Sequence, residues 1–260
     1  MPAIDLHSHV LAGIDDGPQT TAESLDMCRR AAADGTAAIA ATPHVSPVFR
    51  TRPEQVESGV AELNDALAGE EVSLEVLRGA EIAPALLPLM DASELARLTL
   101  GGGPYLLIEA PLEAVGRELE EAVDELMGAG HSVLLAHPER APSFHREPER
   151  LAALVERGAL CSITAGSLIG RFGRRVARFT ERLLAEGLVH NVASDAHDTF
   201  GRPPDLRSLV MSADLPELGA RAEWLLEEVP AALIAGAELP APPQTPAPAR
   251  RSRRRLSWRR

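Results

Sequence analysis

Lysine is absent from this 260-residue chain, so all 26 basic residues are arginine. An Ala- and Arg-biased composition accounts for that without a functional reason. Cysteine occurs only twice, at Cys28 and Cys161, with no CxxC spacing. That excludes a disulfide framework and fits a reducing compartment. A phosphate-binding cysteine loop would place an arginine six residues after its cysteine. Asp34 and Ser167 stand there instead, so both thiols read as core residues. Aromatics make up 3% of the chain, and no apolar run reaches the ~20 residues needed to span a bilayer. The first residues lack a charged stretch followed by an apolar one, so no signal peptide is expected. The expectation is a soluble, cytoplasmic protein. No internal repeat is present. Gly101-Gly102-Gly103 precedes a strand pattern rather than opening a helix, so it is no nucleotide loop.

Charge is plentiful but uneven. The net charge is −12, and the last eleven residues, 250–260, hold seven arginines and no acid. Residues 1–249 therefore carry −19, which argues against nucleic acid as a partner for the body. A hydrophobic content of 45% suffices for one large core. One domain is expected over residues 1–238. Residues 239–260 are expected to be an extended linker, with five prolines in 239–249, and an Arg-rich tail.

Short apolar runs near 3–7, 37–42, 74–80, 105–109, 132–136, 160–164 and 190–194 predict seven strands. Their near-continuous apolarity suits parallel strands covered on both faces. Helical patterns fall between them: one opening on the capping box Thr20-Thr21-Ala22-Glu23, one over 114–127 and one over 171–186. Helices are also expected over 204–211, 216–228 and 231–235. The alternation predicts an α/β fold, a seven-stranded, distorted (β/α) barrel. A doubly wound open sheet has the same periodicity.

Nine residues of metal-ligand type stand out, and all but Asp16, which lies in the loop after the first run, stand at or just after the ends of these runs: His7, His9, Asp16, His44, Glu81, Glu109, His137, Asp195 and His197. Barrel enzymes build active sites from the carboxyl ends of their strands. His7 and His9 share a face, as do Asp195 and His197. Glu81 and Glu109 end buried runs, where a carboxylate needs a cation or donors to offset desolvation. Imidazole and carboxylate without thiolate favour Mn, Fe or Zn. Nine ligands exceed what one ion can use, so two or three divalent ions sharing carboxylates are expected. Arg140 and Arg202 stand close by. Beside a cationic cluster an arginine implies an intervening anion, which favours a phosphate group.

Carried by Asp5-Leu6-His7-Ser8-His9, Asp15-Asp16-Gly17-Pro18, Thr42-Pro43-His44, Gly79-Ala80-Glu81, Ile108-Glu109, His137-Pro138-Glu139-Arg140, Ala165-Gly166-Ser167-Leu168, Ser194-Asp195-Ala196-His197 and Arg202-Pro203-Pro204, the chain resembles the polymerase and histidinol phosphatase (PHP) superfamily. Within it the chain most resembles the bacterial manganese-dependent protein-tyrosine phosphatases of capsule and exopolysaccharide operons, the CpsB/CapC type. The resemblance implies a distorted seven-stranded barrel with three metal ions, most of all Mn2+, held by the nine residues. It implies that Arg140 and Arg202 bind substrate, and that metal-activated hydroxide hydrolyses phosphotyrosine on the tail of a tyrosine autokinase. Ala141, Thr164 and Asp198 depart from the family pattern and bear on pocket shape. The competing expectations are a small-molecule phosphatase such as a histidinol-phosphate phosphatase, and a non-catalytic regulatory module. For the Arg-rich tail, one expectation is peripheral contact with the anionic inner membrane face.

Overall fold

The computed structural model describes residues 2–113 and 116–243. The Arg-rich segment 250–260 and residues 244–249 of the Pro-rich stretch lie outside the described residues. Among the described residues nine strands form: β1 Ala3–Ser8, β2 Thr36–Ala41, β3 His44–Val45, β4 Glu75–Arg78, β5 Glu81–Ile82, β6 Tyr105–Glu109, β7 Ser132–Ala136, β8 Leu160–Thr164 and β9 Asn191–Ala193. The helices are α1 Thr21–Ala33, α2 Pro53–Gly69, α3 Ala92–Arg97, α4 Glu118–Gly128, α5 Pro142–Arg146, α6 Pro148–Glu156, α7 Ala165–Leu168, α8 Arg174–Ala185, α9 Leu206–Ser212, α10 Pro216–Gly219 and α11 Val229–Ala235.

Every ladder is parallel, in the orders β1-β2-β4 and β3-β5-β6-β7-β8-β9. Two of the expected seven strands each break in two. Pro43 has no N–H to continue the ladder, so β2 stops before it and β3 resumes after it. The next strand breaks at Gly79-Ala80, and Glu81 N–H donates to Pro43 O at 3.1 Å. On the amino side β4 pairs with β2 but not with β6, whereas on the carboxyl side β5 pairs with both β3 and β6. There the ring closes: Asp195 N donates to His7 O at 2.9 Å and His9 N to Ala196 O at 2.8 Å. The buried Asp5 carboxylate reinforces the seam by accepting from Ser194 N at 3.0 Å. Counting β2/β3 and β4/β5 as one strand each gives a seven-stranded, distorted (β/α) barrel.

The strands are covered on both faces. Leu106, Leu107 and Ile108 on β6 and Val133, Leu134 and Leu135 on β7 are fully buried. The expected capping box opens α1, with Thr20 and Glu23 bonding each other's backbone. α2 answers to no helix expected above, and α4 and α8 begin at Glu118 and Arg174, later than expected. Cys28 and Cys161 are free and buried. The triple glycine has a packing role: a Cβ on Gly103 would lie 2.5 Å from Ile234 O and 2.7 Å from Leu233 O, so only glycine lets α11 approach β6.

Candidate metal centre

The carboxyl ends of the strands bring all nine predicted residues together. Among the described residues four overlapping groups could each hold a metal ion: His9, Asp16, His44 and His197; His7, His9 and Asp195; His7, Glu81 and His137; and His44, Glu81 and Glu109. Within each group the ligand atoms lie within 4.8 Å of one another. Five of the chain's eight histidines are gathered here. Glu81 is the hub. Its Oε1 lies 2.6 Å from His137 Nε2, and its Oε2 lies 2.9 Å from His44 Nδ1, 3.4 Å from His7 Nε2 and 3.5 Å from His9 Nε2.

The donor set fits divalent ions on its own geometry. His7 Nε2 and His9 Nε2 face each other at 3.2 Å. Glu81 Oε2 is buried among imidazole nitrogens with no well-aligned hydrogen bond, and His137 Nδ1 is buried without a hydrogen-bond partner. Converging lone pairs and a buried carboxylate oxygen lacking an aligned donor are what a shared cation compensates. The backbone points the same way. His137 and Asp195 hold φ of 34° and 51°, a left-handed conformation that non-glycine residues adopt at a cost.

Electrostatics follow from burial against pairing. Burial opposes charge on His9, but bonds to Asp15 and Glu81 raise its pKa to about 10. Burial alone would raise Glu81, yet the surrounding imidazoles hold it well below the usual carboxylate range. Asp195 is lowered in the same way, against burial, by His7 and Arg202. Asp16 is held low chiefly by His197. Glu109 is raised by burial and by the neighbouring Glu81 charge.

Both predicted arginines reach the cluster. Arg140 Nη1 donates to Asp195 Oδ2 at 2.7 Å, and its guanidinium lies 4.3 Å from the centre of the Phe172 ring. Arg202 Nη2 pairs with the same oxygen, and its Nη1 lies 2.9 Å from His197 Nε2. Asp198, the departure noted above, accepts from Phe200, Gly201 and Arg202 backbone N–H groups and so shapes the loop that presents Arg202.

The family pattern described as "Capsular polysaccharide synthesis, CpsB/CapC" matches residues 3–214. The chain belongs to this family. Among CpsB/CapC relatives, the tyrosine-protein phosphatase YwqE of Bacillus subtilis (strain 168) is 36% identical over 226 residues, covering 86% of this chain and 89% of the relative. The tyrosine-protein phosphatase CpsB of Streptococcus agalactiae serotype III is 28% identical over 210 residues, covering 78% of this chain and 86% of the relative. A chain from the crystal structures of YwqE from Bacillus subtilis and CpsB from Streptococcus pneumoniae, described as unique metal-dependent tyrosine phosphatases, superposes with a TM-score of 0.81 at 34% identity. It covers 94% of this chain and 99% of that one.

In this CpsB/CapC chain, sequence reasoning overlooks two buried acids. Asp15 accepts from His9 Nδ1 at 2.6 Å, from Gly17 N at 3.0 Å and from His44 N at 3.0 Å. Glu139 accepts from Thr164 N at 3.0 Å and from Ser167 Oγ at 2.6 Å, tying the turn after β7 to α7. Both stand beside predicted site residues in sequence, and that adjacency is the one signal that could have found them.

Proposed function

We propose that this chain is a metal-dependent protein-tyrosine phosphatase. The observation that carries the reading is the convergence of five imidazoles and four carboxylates on one end of the barrel, with two guanidiniums at its edge. His7, His9, Asp16, His44, Glu81, Glu109, His137, Asp195 and His197 would hold two or three divalent ions, with Mn2+ the resident and Fe or Zn able to substitute. When bound, such ions supply Lewis acidity toward phosphoryl oxygen and a nucleophile at neutral pH.

The remaining roles belong to the protein's own residues. Arg140 and Arg202 fork onto the equatorial phosphoryl oxygens and stabilise the charge that builds there. Packing on Phe172 fixes the Arg140 plane before substrate arrives. Water attacks phosphorus in line, the P–O bond to the tyrosine ring breaks, and the phenolate takes up a proton to give tyrosine and inorganic phosphate. No enzyme thiol takes part, since burial pushes the Cys28 thiol up to about 12 and raises Cys161 as well. The substrate would be the phosphotyrosine tail of a bacterial tyrosine autokinase in capsular or exopolysaccharide synthesis. Among the described residues no helix is long and apolar enough to cross a membrane. A cytoplasmic protein with its phosphatase domain over residues 1–238 and its Arg-rich tail within 239–260 at the inner membrane face fits that chemistry.

The test is hydrolysis of p-nitrophenyl phosphate and a phosphotyrosine peptide by metal-stripped protein, with Mn, Fe, Zn or Mg restored in turn, beside His7→Ala. Turnover should return with metal and be lost by at least ~10²-fold in His7→Ala. A folded protein silent with every metal would overturn the reading.

A further inference from the structure

A cavity of about 830 Å³ opens beside the metal centre. That size falls in the range of roughly 300–1,000 Å³ that holds ligands. The cavity adjoins the centre at Glu109, which belongs to both. Ser46 and Val48 follow His44 by two and four residues and line it on another side. That loop is turned by the bond from Ser46 N to Phe49 O at 2.8 Å, with the Phe49 ring stacked 5.7 Å from the His44 ring.

The walls and the rim differ in chemistry. Val48, Pro84, Pro88, Leu112 and Leu119 make apolar walls, with Val48 80% and Leu112 44% exposed. Large exposed apolar side chains beside a site mark a surface that binds something. The rim carries Glu109, Glu113, Glu118, Glu121 and Glu125. The last three fall at i, i+3 and i+7 on α4 and so share one face. Among the described residues, no arginine or histidine lines the cavity. The arginines of the centre, Arg140 and Arg202, lie outside it. A phosphoryl group at the centre would therefore meet positive charge, and chain leading away through this groove would meet negative charge and apolar surface.

We propose that this groove is the subsite for the residues flanking the phosphotyrosine, and that it selects apolar and basic side chains over acidic ones. The inference rests on the phosphatase reading and deepens it. Exposed carboxylates act mainly by steering and by repelling the wrong partner. At a few-fold per exposed pair, several acting together give about tenfold.

The experiment uses two phosphotyrosine peptides of equal length, one with arginine and leucine flanks and one with glutamate and leucine flanks. Turnover of p-nitrophenyl phosphate, which has no flank, is the reference for each protein. The Arg-flanked peptide should show about tenfold higher kcat/KM, and the gap should narrow in high salt. Glu118→Gln/Glu121→Gln/Glu125→Gln should remove most of the difference. The same peptides with phosphonomethyl-phenylalanine and a fluorescent label read binding by anisotropy. A failure of catalysis would thus leave the groove tested separately. Equal kcat/KM and equal binding for the two flanks would overturn the proposal, as would a preference that survives the triple variant. So would release of inhibition on deleting residues 244–260 that a synthetic 250–260 peptide reverses, since the groove's occupant would then be the chain's own tail.

Discussion

Asp15 shows how much one carboxylate can organise. It accepts the Nδ1–H of His9, which leaves Nε2 free to face the cluster, and it holds the backbone of His44. Gly17 seals the turn, because a Cβ there would lie 2.5 Å from His9 O. Removing such an outer partner of a ligand costs about 10–100-fold in metal affinity. Asp15→Asn should therefore weaken Mn2+ binding by that amount in calorimetry while far-UV circular dichroism stays unchanged. Affinity within twofold of the parent would show that His9 is held without it. The sequence places Asp15 beside Asp16 in what reads as a polar turn, and spacing does not tell which of two adjacent acids turns inward. Eight of the nine converging residues were legible because they stand at or just past a predicted strand end, and Asp16 through its motif in the loop after β1; their mutual distances were not. His190 is a second single-residue case. Its Nδ1 accepts from Cys161 N at 3.2 Å, and burial pulls its pKa down to about 4. Between pH 6.5 and 4 the unfolded chain takes up the proton and the folded one refuses it. The contribution is complete above 6.5 and shrinks as pH falls, by about 2 kcal/mol at pH 5. The melting temperature should drop more from pH 7.5 to 5.0 in the parent than in His190→Gln; equal drops would refute the assignment.

Elements differ in how plainly the sequence announces them. β6, β7 and β8 run over 105–109, 132–136 and 160–164, as their apolar runs predict. The break after β2 is set locally by Pro43, whereas the one after β4 depends on which partner each segment finds, and that is a long-range fact. α2 carries Val56, Val60, Leu63 and Leu67 at i, i+4, i+7 and i+11, a helical period in full view. A reading led by strand ends passes over it because it contributes no ligand. Between elements, Arg150 on α6 grips Glu120 on α4 through Nε at 2.5 Å and Nη2 at 2.9 Å, with both residues buried. Arg150→Ala would strand that carboxylate at a cost of about 1–3 kcal/mol. Urea unfolding should show it, with Arg150→Met/Glu120→Leu recovering part of the loss. A double variant weaker than the single would mean the pair does more than neutralise itself.

Over the whole molecule, the barrel is pinned at both ends by different means. The carboxyl ends are joined by hydrogen bonds and the convergent site, and the opposite side is packed by α11 against Gly103. Gly103→Ala would force α11 off and should cost about 1–3 kcal/mol. That corresponds to a fall of several degrees in melting temperature. Gly128→Ala, where a Cβ meets nothing within 4 Å, is the control and should leave it unchanged or higher. Matching losses in both variants would place the effect in the backbone rather than in the contact. The α/β class and the strand order along the chain were legible from alternation. Closure into a ring was not, because an open sheet has the same periodicity.

The seam between β1 and β9 has a consequence in time. His7 and His9 are synthesised well before residues 194–196, yet the first strand finds its second neighbour only when those residues arrive. At about 5–20 residues per second, that is roughly 10–40 s later. An amino-terminal fragment ending before the seam can form keeps most of the cluster's side chains but lacks the wall that brings them to a point. Assembly of the full donor set thus waits for the seam, because Asp195 and His197 arrive with it.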